Sequence, residues 1–226
     1  VDEGVQVFGG YGFMDEYPIS HAWRDSRINR IFEGTNEVNR LVAAGTLFTR
    51  AMENRVDVLS AFPEIDEQLT SGAAPDFAEA DTPAGLRESV NIVERTKRAA
   101  IYTSMKSSMK FMATMRDEQE FLDFTANQLI AIFAMDSAVA RALDAARNSA
   151  TNAHAHELLA QVATLRLATD ARLAMEGALT MAFDGAERRE ELAKVRRYLG
   201  DPDANIVPLQ RELADLVAAN NAYPID

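Results

Sequence analysis

From residue 87 to residue 222 the apolar residues return every three or four positions, and no stretch alternates as a strand would. That spacing is helical, because about 3.6 residues complete a turn and align one stripe of side chains. Residues 87–115 place Val90, Val93, Ile101, Met105, Met109 and Met112 on roughly one face. Residues 118–148 do so with Phe121, Phe124, Ile132, Met135, Val139 and Leu143, and residues 154–183 with Leu158, Val162, Leu165, Ala168, Leu173, Met175 and Leu179. Gly185 can end the third helix and Gly200-Asp201-Pro202 the next, before a last helix over 204–219. The expected fold class is all-α, an up-and-down helical bundle in which each helix buries one stripe. The methionines Met105, Met109, Met112 and Met115 read as adaptable core.

Two further zones precede this one. Residues 57–86 carry Pro63, Pro75, Pro83, Gly72 and Gly85 and read as a linker, because proline and glycine interrupt regular structure. Residues 1–56 are dense in aromatics, glycines and arginines. There, Val5–Phe8 finish a helix that Gly9-Gly10-Tyr11-Gly12 breaks. Pro18 suits a first helical turn, where its missing N–H costs nothing. Another helix is expected to start near Thr35 or Asn36, with Val38, Leu41, Val42, Phe48 and Met52 on one face.

A net charge of −12 argues against nucleic acid as a partner, since phosphate binding needs a basic face. No cysteine is present, so disulfides, thiolate metal sites and cysteine nucleophiles are excluded. His154 and His156 lie two apart and point to different helix faces, so no metal site is expected. The start at Val1-Asp2-Glu3-Gly4 lacks an initiator methionine, a basic segment and an apolar run, and the expectation is a piece of something larger.

The chemistry concentrates in Arg30-Ile31-Phe32-Glu33-Gly34-Thr35-Asn36-Glu37-Val38-Asn39. Glu33 follows two bulky apolar residues and precedes a glycine and a helix-start signal. Such a carboxylate can act as a base at the mouth of an apolar pocket. Taken alone, it is also one of 35 acids, and a solvated residue at a helix start accounts for it.

The wider pattern decides between these. Gln6-Val7-Phe8-Gly9-Gly10-Tyr11-Gly12-Phe13, Tyr17-Pro18, Arg24-Asp25-Ser26-Arg27-Ile28, Ile31-Phe32-Glu33-Gly34-Thr35-Asn36-Glu37 and Arg40-Leu41 together resemble the C-terminal signature of the flavin-dependent acyl-CoA dehydrogenases. The resemblance implies that Glu33 removes a proton alpha to a thioester while the beta hydrogen leaves as hydride to FAD, giving a trans-2-enoyl-CoA. The thioester oxygen would be held by the backbone N–H of Glu33 and a ribityl hydroxyl of FAD, which stabilises the developing enolate. Exclusion of water by acyl chain and flavin makes the carboxylate a more competent base. Gly34 would let the backbone approach the substrate, and Phe32 would form part of the pocket wall. Gln6, Gly9 and Gly10 match contacts to the FAD pyrophosphate and adenine side, made across a subunit interface. Thr35 and Glu37 match positions beside the FAD phosphates and adenosine, although a carboxylate facing phosphate is awkward. Arg24, Asp25 and Arg27 read as ion-pairing residues that fix the turn, and Tyr17 and Trp23 as packing residues.

The long extension resembles the very-long-chain branch of the family. The implied organisation is the end of the acyl-CoA dehydrogenase C-terminal helical domain over 1–56, a linker over 57–86 and an additional helical bundle over 87–226. Shorter-chain members often carry an arginine where this chain has Gly45. Further expectations are an acyl-CoA substrate, an electron-transfer flavoprotein as acceptor, a homodimer, and a parent enzyme in fatty-acid β-oxidation. Its location would be the bacterial cytoplasm or the mitochondrial matrix. Acidity opposes binding to anionic lipid, so membrane attachment is not expected. The chain alone is expected to bind FAD poorly and to be inactive, since the parts of the family fold that supply most flavin contacts are not in it. Competing readings are an autonomous helical self-association module and part of an acyl-CoA oxidase.

Overall fold

The protein is described by a computed structural model covering residues 1–202, 204–223 and 225, with the side chain of Ala113 left aside. All its regular structure is helical among the described residues. The chain divides into two compact units, Val1–Ala43 and Ala44–Asp226. No helix among the described residues is long and apolar enough to cross a membrane.

The first unit holds α1 (Asp2–Phe8), a 3-10 turn Gly9–Phe13, α2 (Pro18–Arg27), a 3-10 turn Ile28–Arg30, and the start of α3 (Asn36–Met52). Pro18 occupies the first turn of α2, as its fixed φ and missing N–H favour. The α1 and α2 helices meet closely: Trp23 Nε1 donates to Asp2 Oδ1 at 2.8 Å. Any Cβ at Gly12 would stand 2.3 Å from the Val5 carbonyl oxygen. Arg24 pairs with Asp15 at 2.6 Å, an exposed bridge that fixes geometry more than it stabilises. Tyr17 packs its ring against Phe8 and Tyr11.

The second unit continues α3 and adds α4 (Phe62–Ser71), α5 (Arg87–Phe111), α6 (Gln119–Arg147), α7 (Ala153–Ala182), α8 (Gly185–Leu199) and α9 (Ile206–Asn220). The short turn between α6 and α7 makes them an antiparallel pair, and α5 packs against both. Phe183 and Asp184 break the chain between α7 and α8, and Asn205 caps α9 by accepting from the Val207 N–H at 3.0 Å.

The helical period is as expected, and Val93, Phe121, Met135, Val139, Leu158, Met175 and Leu179 are buried as expected, but small residues share the buried stripe with them. On α5 the buried residues include Thr96, Ala99, Ala100, Thr103 and Ser107, and on α7 they include Ala155, Ala160, Thr164, Ala171, Ala174 and Ala178. Small side chains let helix axes approach, so much of the packing area comes from backbone-near atoms. Met109 and Met112 are exposed while Met105 and Met115 are half-buried, so only part of the methionine stripe meets the core, and Leu173 also faces outward. On α3 only Phe48 of the five expected face residues is buried.

The stretch read as linker contains α4, whose Ile65 and Leu69 are buried against Tyr102 and Val195 in one core. Tyr198 Oη donates to Gln68 Oε1 at 3.0 Å, and Arg197 Nη2 donates to the Thr70 carbonyl at 2.6 Å. Pro63 starts this helix instead of breaking it, because proline fits the first turn. Gly72 ends it with φ 77°, a left-handed cap. A Cβ there would stand 2.4 Å from Arg197 Nε. Gly72→Ala is therefore expected to cost about 1–3 kcal/mol, read as a lower urea midpoint by far-ultraviolet circular dichroism.

One cluster of three charges on α5 sets a pH dependence. Glu94 is bridged by Lys97 and Arg98, each at 2.8 Å. Burial disfavours its charge, but the two hydrogen-bonded cations outweigh that and hold its carboxyl below the ordinary 4.5. The resulting stability is full above the unfolded value and is lost as pH falls through the lower folded one. Glu94→Gln should thus lower the melting temperature at neutral pH and converge on the parent chain in acid.

Candidate functional site

The expected site residues fall in two local groups within the first unit. Gln6 lies on α1, and Gly9 and Gly10 lie in the 3-10 turn that follows; all three are exposed. Nothing stands within 4 Å of a Cβ built on either glycine, so the backbone there is open to approach. Phe32, Glu33, Gly34, Thr35 and Glu37 form the second group, where the chain enters α3.

Local hydrogen bonding shapes this second group. After α2, the Ile31 N–H donates to the Ile28 carbonyl at 2.9 Å and the Phe32 N–H to the same oxygen at 3.1 Å. The chain then takes two left-handed residues in succession, Glu33 at φ 57° and Gly34 at φ 85°. For glutamate this is uncommon and costs about 1 kcal/mol or more, so surrounding bonds must hold it. Asn39 supplies one, donating from Nδ2 to the Gly34 carbonyl at 2.9 Å. Thr35 supplies the helix cap, its Oγ1 accepting from the Val38 N–H at 3.3 Å. The Glu37 carboxyl is held below its ordinary value, first by its own backbone N–H and then by the Thr35 hydroxyl, with Arg40 and Arg30 adding to this. The charge also suits the positive end of a helix.

Asn39 carries no role in the sequence pattern, yet it is the side chain that pins the turn. Asparagine is a weak helix former because its amide competes for backbone partners, and its place in the first turn of α3 is the one available signal. Gly34 is required twice over, by its φ and because a Cβ would stand 2.7 Å from Asn39 Oδ1. Gly34→Ala is expected to loosen this turn at a cost of about 1–3 kcal/mol, seen as earlier thermal release of Trp23 fluorescence.

The surroundings are apolar and open. Among the described residues of 1–43, only Gly12 and Ser20 are buried. Val7, Phe8, Tyr11, Phe13, Ile31 and Phe32 are all about half exposed or more, from 48% for Phe32 to 84% for Val7. Exposed apolar side chains in this density mark a surface that works covered. Glu33 is itself exposed.

Residues 1–48 match a family described as acyl-CoA dehydrogenase, C-terminal domain, and residues 95–197 match a second family of the same description. A probable acyl-CoA dehydrogenase of Bacillus subtilis (strain 168) is 32% identical over 226 residues, covering 100% of this chain and 37% of that protein. A short-chain-specific acyl-CoA dehydrogenase of Megasphaera elsdenii is 53% identical over 45 residues, 20% of this chain and 12% of that protein. The crystal structure of an acyl-CoA dehydrogenase complexed with FAD from Bacillus anthracis superposes with a TM-score of 0.90 at 30% identity, over 98% of this chain and 37% of that one. The chain thus spans little more than a third of the relatives it matches along its whole length. Residues 1–48 and 95–197 thus belong to acyl-CoA dehydrogenase C-terminal domain families, and the fold agrees with such a protein over 98% of the chain.

Proposed function

We propose that this chain is the C-terminal part of an FAD-dependent acyl-CoA dehydrogenase of the very-long-chain type, and that Glu33 is the base that removes the proton alpha to the thioester. The observation that carries the reading is the left-handed Glu33-Gly34 turn, pinned by Asn39 and set at the start of α3. It holds a carboxylate outside any helix, flanked by exposed Phe32 and Ile31. An acyl chain laid against those side chains would shield the carboxylate from water and orient the alpha carbon toward it. The Glu33 backbone N–H would stabilise the enolate oxygen.

The residues present fit FAD in part. The open backbone at Gly9 and Gly10, with Gln6 nearby on α1, suits the pyrophosphate and adenine side. The N-terminus of α3 with Thr35 suits a phosphate oxygen, since helix N-termini attract anions. Glu37 fits less well beside phosphate, being ionised and already engaged with Thr35, and we place it toward the adenosine. FAD, when bound, supplies the acceptor for the beta hydrogen as hydride.

The parent would oxidise a long-chain acyl-CoA to the trans-2-enoyl-CoA in fatty-acid β-oxidation, pass electrons to an electron-transfer flavoprotein, and reside in a bacterial cytoplasm or a mitochondrial matrix. The exposed apolar surface of residues 1–43 supports a parent in which further protein covers it. Residues 57–86 would join the dehydrogenase domain end to the added bundle, with α4 docked on that bundle. Anaerobic titration of the full-length parent tests the reading. Its flavin absorbance should bleach with palmitoyl-CoA more readily than with butyryl-CoA, while the 226-residue chain alone carries no flavin band. Failure of the parent to bleach with any acyl-CoA would sink the reading.

Self-association is favoured by a separate observation. Ile130, Phe133 and Leu173 on α6 and α7 are 53%, 75% and 60% exposed. We propose that this face pairs with a second copy in a homodimer. Light scattering should report a dimer that Phe133→Asp converts to a monomer; a monomer throughout refutes it.

A further inference from the structure

Within the second unit a cleft of about 260 Å³ opens between the Leu47–Ala51 end of α3 and the facing sides of α5 and α6. That is just under the ~300 Å³ at which small-molecule sites begin. Its walls are almost wholly apolar, formed by Phe48, Ala51, Ile101, Leu129 and Ile132. Four polar residues, Lys97, Ser104, Thr125 and Gln128, also line it, and of these Thr125 and Gln128 are each only 1% exposed. They lie three apart on α6 and so share one face. Thr125 Oγ1 and Gln128 Nε2 have no hydrogen-bond partner, which is rare for buried polar atoms.

The bonding of Gln128 narrows what would satisfy it. Its other amide end meets Thr103 Oγ1 at 3.2 Å. The single Thr103 hydroxyl proton also has the Ala99 carbonyl as an acceptor at 2.9 Å. Whichever way the amide is turned, one end of Gln128 is left over, as donor or as acceptor. A hydroxyl, which both donates and accepts, answers both cases.

Charge excludes an anionic head. Lys97 lines the cleft, but its Nζ is already held by Glu94 Oε1 at 2.8 Å and Asp136 Oδ1 at 2.7 Å. A ligand carboxylate would meet two carboxylates sharing that one cation.

We propose that this cleft binds a neutral aliphatic alcohol, its alkyl chain against Phe48, Ile101, Leu129 and Ile132 and its hydroxyl on Thr125 and Gln128. The site is independent of the dehydrogenase reading, since it uses none of the residues assigned to that chemistry. Octanol and octanoate are the test ligands, added separately to the 226-residue chain. Octanol should raise the melting temperature saturably and shift the NMR methyl signals of Thr125, Ile101 and Ile132, while octanoate does neither at equal concentration. Gln128→Leu and Thr125→Val remove the polar partners with little change of shape, and each should weaken octanol binding about tenfold. No saturable effect of octanol, equal effects of octanoate, or unchanged octanol affinity in both variants would each overturn the proposal. The comparison of the two ligands on the unaltered chain decides the matter even if a variant fails to fold.

Discussion

Glu33→Gln in the full-length parent is expected to slow flavin reduction by acyl-CoA about 10²–10⁴-fold while FAD stays bound. The two side chains have nearly the same shape, so the exchange leaves the turn intact. Its left-handed geometry depends on the Asn39 bond to the Gly34 carbonyl and on the Thr35 cap, and neither involves the Glu33 side chain. What changes is chemistry: an amide cannot take up the alpha proton. Glu33→Asp is a useful companion, because it keeps the base and retracts it by one methylene. Near-attack geometry is steep with distance, so a loss of about 10²-fold is expected there too. Stopped-flow absorbance measures both. Normal reduction rates in Glu33→Gln would remove Glu33 from the mechanism, whereas loss of FAD would assign it a structural role instead.

Phe121→Ala should be the most damaging single truncation in the helical bundle. Phe121 is fully buried, and its ring sits 5.6 Å from that of Phe48 on α3 and 5.2 Å from that of Phe111 on α5. It therefore ties the end of α3 to the α5–α6 pair. Removing a buried aromatic ring costs about 3–5 kcal/mol, from lost burial plus the cavity left behind. Domains are stable by about 5–15 kcal/mol, so the loss is a large share of the whole. The urea midpoint should fall by roughly 1–2 M in circular dichroism. Met52→Ala is the control: Met52 is 76% exposed and should change stability by no more than about 0.5 kcal/mol. Similar effects of the two would mean that the Phe121 cluster does not hold these helices together.

The helices themselves were legible because period and punctuation are local. Pro18 opens α2, Gly200-Asp201-Pro202 follows the end of α8, and the α6–α7 turn falls where the apolar repeat lapses. The candidate site was legible as a pattern, since Glu33, Gly34 and Thr35 stand in a row. Its geometry was not: the left-handed backbone of Glu33 and the bracing by Asn39 depend on bonds that the pattern does not name. Residues 57–86 misled for a related reason. Proline and glycine mark helix ends as readily as their absence marks helix interiors, and α4 lies between such marks.

By itself the sequence determined an all-helical chain, the approximate helix bounds and the carboxylate-glycine motif, because each follows from neighbours within a turn or two. The sequence also named part of the core, Phe121, Met135 and Leu179 among it, but tertiary structure alone decided where small residues join it and which bulky ones are left out. The bulky Phe133, Leu173 and Met112 stay outside while Ala99, Ala171 and Thr164 go in. Close helix approach rewards small side chains at the contact, and only the packed partner reveals where the contact is. The same packing closed the cleft around Thr125 and Gln128, a site that no spacing in the sequence announces.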